Sequence, residues 1–273
     1  MQLLVFGAVA FFFFRFALQK GYFSWLKQPD YTLSIPIEWF QVLGAFALYF
    51  FLGLFFIPKI LLPMMGSWLW TKGQVSAMSW LNVLNGALFL VCILPFSKRV
   101  WLRKGQQFKP KSDLLAMVGA LILVLPLIFI CTAFFDLLLQ GVFHLHNLPD
   151  QQAVEWLKST FEFPLYFFLT TITIIVWAPV LEEVLFRGLL QSFLRRHLGR
   201  VSAVFLSSFC FACFHFSPKQ GWNNLSIIAS LFPLALFLGF LYEKRGSLFA
   251  SISLHATFNT LSLLNIYFFG QML

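Results

Sequence analysis

The chain has 273 residues, of which 60% are hydrophobic, 19% aromatic and only 11% charged, where a soluble domain carries about 25% charged residues. That much apolar surface cannot be covered in water, which excludes a soluble fold and leaves a membrane protein. The formal net charge of +9 comes without a helix-turn-helix, finger or aromatic sheet motif, so it is read as topological bias and attraction to anionic lipid, with no nucleic-acid partner.

Eight apolar stretches follow one another, approximately Met1 to Leu18, Ile37 to Ile57, Met78 to Pro95, Leu114 to Leu139, Pro164 to Leu190, Val201 to Phe216, Leu225 to Leu241 and Leu248 to Phe269. Their lengths, roughly 16 to 27 residues, suit helices rising about 1.5 Å per residue across about 30 Å of hydrocarbon. The alternating pattern of a membrane β-barrel is absent, so the predicted fold is an all-α, polytopic membrane protein with a single intramembrane bundle. The first stretch has no basic start and no small-residue cleavage site, and is read as a retained helix and not a signal peptide. No long linker, repeat or low-complexity block divides the chain. One continuous membrane domain is expected, with N-terminal helices over 1–160 and a catalytic core over 161–273.

Basic residues set the expected orientation, because Lys and Arg near helix ends stay on the cytoplasmic side. Lys98, Arg99, Arg103, Lys104, Lys109 and Lys111 crowd one connection, and Lys20, Lys27, Arg195, Arg196, Arg200, Lys244 and Arg245 fall on the same face. The other face receives Lys59, Lys72, Lys158 and Lys219. Both termini are therefore expected outside. The compact length and the lack of a targeting segment point to a bacterial plasma membrane.

Cys92, Cys131, Cys210 and Cys213 all lie in apolar runs and are read as small packing residues. Cys210 and Cys213 form C-F-A-C-F-H with His215, but haem attachment needs the histidine directly after the second cysteine, and structural zinc needs a further ligand pair. The connection from Gln140 to Phe163 carries His144 and His146 at alternate positions and is read as a solvated loop.

The fifth stretch ends in LEEVLFRGLL, Leu181 to Leu190. A charge in mid-bilayer costs about 2.5 to 3.5 kcal/mol by the smallest estimates, so Glu182, Glu183 and Arg187 are functional candidates. At about 100° per residue, Glu183 and Arg187 share one face and pair, while Glu182 is turned away and left without a local partner. Glu182 is therefore the candidate for proton transfer. Pro179 removes one backbone hydrogen bond just before the carboxylates, and Gly188 permits another helix to approach closely. In the sixth stretch Phe211 and His215 stand four residues apart, and in the eighth His255 and Asn259 do the same. Three helices thus supply a base and several donors, the inventory for activating a water and stabilising an oxyanion in amide hydrolysis.

Glu182-Glu183-Val-Leu-Phe-Arg187, Phe211-Ala-Cys-Phe-His215 and His255-Ala-Thr-Phe-Asn259 stand in this order on successive apolar stretches. The set resembles the CPBP intramembrane proteases, also called the CAAX protease and bacteriocin-processing or Abi family, whose motifs are E-E-x-x-x-R, F-x-x-x-H and H-x-x-x-N/D. The resemblance covers about Pro164 to Asn259. It implies a glutamate-dependent endopeptidase acting on a protein or peptide in or near the bilayer. Glu182 would activate the attacking water with His215 assisting, His255 and Asn259 would form the oxyanion hole, and Glu183, Arg187 and Phe211 would hold the site together. The family is often labelled metalloprotease, and Glu182, His215 and His255 are the residues zinc would take. H-E-x-x-H is absent, however, and metal-independent chemistry is favoured, with no cofactor. The alternative is a non-enzymatic membrane factor, for bacteriocin immunity or membrane-protein assembly, that uses the same buried polar cluster. A proton-coupled transporter is a third reading, for which the two halves show no inverted repeat.

Overall fold

The computed structural model of the chain describes residues 2–24, 37–64, 73–101, 108–146 and 148–270. Among these residues there is no strand. The helices are α1 (Gln2–Gln19), α2 (Trp39–Met64), α3 (Gln74–Trp101), α4 (Pro110–Val142), α5 (Gln152–Ser159), α6 (Pro164–Leu198), α7 (Arg200–Phe214), α8 (Asn223–Arg245) and α9 (Leu248–Phe269). Each of the eight predicted apolar stretches falls on one of them. By length and composition α2, α3, α4, α6 and α8 can cross a membrane, while the apolar helices Leu3–Gln19 and Arg200–Phe214 are shorter. Helix α9 has 22 residues, enough to span, but its serines and threonines, together with His255 and Asn259, dilute its hydropathy.

The chain is all-α and polytopic, and its outer surface is what lipid requires. Leu4, Phe11, Leu54, Leu115, Val201 and Phe269 are among many large apolar side chains that point away from the bundle. In α8, 61% of the apolar window is buried, against 22% to 33% in the other four long helices, so α8 forms the centre of the bundle. Ala120 and Val124 of α4 pack there with Leu234, Leu238 and Leu241 of α8 and Leu254 of α9. A tight turn sends the chain from α8 into α9. Gly246 closes α8 in the left-handed region at φ +63°, and Ser247 caps α9 by accepting from the Phe249 N–H, satisfying terminal groups that would otherwise be stranded.

Two sequence expectations change. The connection 140–163 is not simply a loop, because α4 continues to Val142 and α5 occupies Gln152–Ser159. Its segment QAVEWLKS is amphipathic, and Val154 and Leu157 pack against Leu263 and Ile266 of α9. His144 and His146 are exposed on the remaining turn, consistent with a solvated position. The cysteines are free, with Cys131 and Cys213 half-buried, but Cys92 and Cys210 are exposed and not packed in the core. A thiol is apolar enough to face lipid. Among the basic residues used for orientation, Lys27, Lys72, Arg103 and Lys104 lie outside the described residues.

Helix α6 is locally widened twice, at Thr173–Trp177 and at Val184–Gln191, where hydrogen bonds reach back five residues. The first of these segments ends two residues before Pro179, and Glu182 and Glu183 lie between the two. The helix is therefore widened by an inserted residue just before the carboxylates.

Candidate active site

Glu182 occupies the regular turn between the two widened segments and faces a cavity of about 230 Å³. Helix α7 delivers His215 from one side and α9 delivers His255 from the other. Each imidazole places Nε2 at 3.8 Å from the same oxygen, Oε2 of Glu182. That oxygen is buried and accepts no hydrogen bond from the protein. Asn259 lines the same cavity, one turn along α9. The structure thus brings together Glu182, His215, His255 and Asn259, three elements far apart in sequence.

His215 lies just past the end of α7 and not within it, with φ −86° and ψ 2°. The turn that follows is tied down by Asn224, whose side chain accepts from the Ser217 N–H and donates to the carbonyls of Ser217 and Gly221. Nδ1 of His215 is 2.9 Å from the Phe211 carbonyl. A carbonyl only accepts, so Nδ1 carries the hydrogen and the Nε2 lone pair faces Glu182. The four-residue spacing of F-x-x-x-H therefore has two uses. It gives the ring its backbone partner, and it sets the Phe211 ring at 4.9 Å from the His215 ring and 5.6 Å from the His255 ring.

Glu183 and Arg187 form the expected pair, with Nη1 to Oε1 at 3.2 Å and both side chains wholly buried. Arg187 also donates from Nη2 to the Ala235 carbonyl of α8 and lays its guanidinium 4.4 Å over the Phe211 ring. Phe211 is fully buried between these groups. What spacing along one helix does not reveal is that Oε1 of Glu183 also meets Nδ1 of His255 at 3.1 Å. Glu183 therefore joins Arg187 to His255, fixing that ring's orientation and leaving its Nε2 toward Glu182, as carboxylates behind functional histidines do.

The polar face of α6 extends beyond the motif. Gln191 donates from Nε2 to the Gly239 carbonyl and to Glu243, and accepts from Ser207 of α7. Arg195 pairs with Glu243 at 2.8 Å. Helices α6 and α8 run parallel here, in contact at Arg187 and Ala235, at Gln191 and Gly239, and at Arg195 and Glu243. A Cβ at Gly239 would sit 2.8 Å from Gln191 Oε1 and 3.1 Å from Val204, so a side chain there would displace the Gln191 amide from its place in the ladder. The four-residue spacing of Glu183, Arg187, Gln191 and Arg195 was the sequence signal for this ladder. Without the parallel α8 beside it, it reads as ordinary helix patterning.

Glu182, His215 and His255 are the donors that a zinc ion would take. Among the described residues, however, no group of three His, Cys, Asp or Glu side chains is placed to hold a metal ion.

Fold and site define a class, a polytopic helical membrane protein with a buried carboxylate and two histidines converging from separate helices. Residues 164–261, which contain all three motifs, match the family described as type II CAAX prenyl endopeptidase Rce1-like. The chain is 31% identical over 116 residues to the UPF0177 protein YaiF of Lactococcus lactis subsp. lactis (strain IL1403), covering 42% of this chain and 47% of that protein. It is 24% identical over 233 residues to the UPF0177 protein in abiGi 5'region of Lactococcus lactis subsp. cremoris, covering 83% of this chain and 92% of that protein. The aligned part of the chain thus spans about half the length of the first relative. No solved structure matches the chain.

Proposed function

We propose that the chain is an intramembrane endopeptidase in which Glu182 activates water against a peptide bond of a membrane-associated or lipidated substrate. The observation that carries this reading is the position of Glu182 Oε2, without a hydrogen-bond donor of its own, 3.8 Å from two imidazole Nε2 atoms at a cavity wall. A water there donates one hydrogen to Glu182 and the other to an imidazole. Its oxygen attacks the scissile carbonyl as Glu182 takes the proton, and the C–N bond breaks as that proton passes to the leaving amine. His215 assists at the water. The developing oxyanion meets the free N–H of the Asn259 amide, and the Nε2–H of His255 where that ring enters the cycle already as an imidazolium, with Nδ1–H on Glu183.

The cavity supports a peptide substrate, because Ala153, Val154 and Leu157 of α5 and Ile174, Leu231 and Phe258 line it together with the polar groups. The test is incubation of detergent-purified protein with a library of membrane-proximal peptides, before and after exhaustive chelation. Cleavage that survives chelation is the expected result. Loss of cleavage on chelation would overturn metal-free chemistry, and absence of cleavage by folded protein would favour the non-enzymatic factor, for which the Glu183–Arg187 pair and the Gln191–Glu243 contacts would be the structural core.

We further propose a bacterial plasma membrane, with Arg195, Arg196, Arg200, Lys244 and Arg245 on the cytoplasmic face and both termini outside. The segregation of basic residues supports this. Reporters fused to either terminus should be active only outside the cytoplasm, and cytoplasmic activity at both termini would reverse the assignment.

A further inference from the structure

Helix α6 leaves one carbonyl without a backbone donor at a defined place. In the widened segment Thr173–Trp177, the Ala178 N–H reaches back to the Thr173 carbonyl, five residues away. The next donor in that register is residue 179, which would serve the Ile174 carbonyl. Residue 179 is proline and has no N–H. The Ile174 carbonyl instead accepts from Nδ2 of Asn259 at 2.8 Å, across to α9.

We propose that Asn259 is a positioning residue that completes the hydrogen bonding broken at Pro179, and so holds the inserted residue that aims Glu182 at the two histidines. Inserting one residue into a helix turns everything beyond it by about 100°. Glu182 follows the insertion by five residues. Were the segment to tighten into a regular helix, the face now presented to His215 and His255 would rotate away and Glu183 would leave its place between Arg187 and His255. The amide has two N–H groups, so the bond to Ile174 leaves one for the cavity. The inference rests on the reading of Glu182 as the base and adds a role for Asn259 besides contact with the reacting atoms.

The proline supplies the test, because Pro179→Ala returns an N–H to the helix and makes the donor on α9 dispensable. Four proteins are compared: wild type, Asn259→Ala, Pro179→Ala and the double variant. Asn259→Ala is expected to lose about 10²-fold in kcat with KM little changed, the cost of misplacing a catalytic group. The double variant should recover about tenfold or more of that loss, the coupling expected of groups that share one hydrogen-bonding site. Asn259→Asp keeps the shape without the donor and should behave as Asn259→Ala does, with the same recovery. A folded double variant no more active than Asn259→Ala would overturn the proposal and leave Asn259 acting on the oxyanion alone. Melting temperature in detergent gives a readout independent of cleavage. Asn259→Ala should lower it more with Pro179 present than in the Pro179→Ala background, and equal losses would overturn the proposal as well. If wild type cleaves nothing, the endopeptidase reading fails while the melting comparison still decides the role of Asn259.

Discussion

Glu182→Gln should abolish peptide cleavage and leave the melting temperature of the purified protein unchanged. Glutamine has nearly the shape of glutamate but cannot take a proton from water. General-base catalysis contributes about 10²- to 10⁴-fold, so the residual rate should be at most about a hundredth of the wild-type rate. The fold should tolerate the change because the Glu182 side chain makes no protein hydrogen bond through Oε2 and is 14% exposed toward the cavity. Retention of a tenth of the wild-type rate would be incompatible with Glu182 as the base. Loss of folded protein would make the carboxylate a structural group.

Arg187→Ala should act in the opposite sense, lowering the melting temperature and the yield of folded protein by far more than Glu182→Gln does. Removing the guanidinium leaves Glu183 in a wholly buried position with its charge compensated by nothing except the His255 ring. Breaking a buried pair from one side costs about 3 to 5 kcal/mol. The variant also loses the guanidinium packed on Phe211 and the donor to the Ala235 carbonyl. Replacing both partners, as in Glu183→Gln with Arg187→Met, removes both charges and should restore part of the stability without restoring activity, because His255 loses its orienting carboxylate. Equal melting of Arg187→Ala and Glu182→Gln would show that the two carboxylates do not divide their work as the geometry suggests.

Phe211 shows why the motif set is legible in sequence although its contacts are not. Its spacing from His215 is local and fixed by the helix, so F-x-x-x-H can be read as one unit. Its fit between Arg187 and His255 depends on where α6 and α9 stand. Helix α5 gives the converse case. Its eight residues are too short and too polar to register as a span, and only their packing on Leu263 and Ile266 distinguishes them from loop.

By itself the sequence determined the membrane class, the helical stretches, the pairing of Glu183 with Arg187 and the isolation of Glu182. All of these follow from composition and from the 100° step of a helix, which are local properties. Only the tertiary structure decided that Glu183 also grips His255, that Gln191 and Arg195 continue the ladder to Gly239 and Glu243, and that Asn259 serves the carbonyl of Ile174. Those contacts join residues 48 to 85 positions apart along the chain, the spans from Gln191 to Gly239 and from Ile174 to Asn259. They depend on how far each helix is rotated about its axis, and in α6 that rotation is set by two widened segments that shift the register of every side chain beyond them.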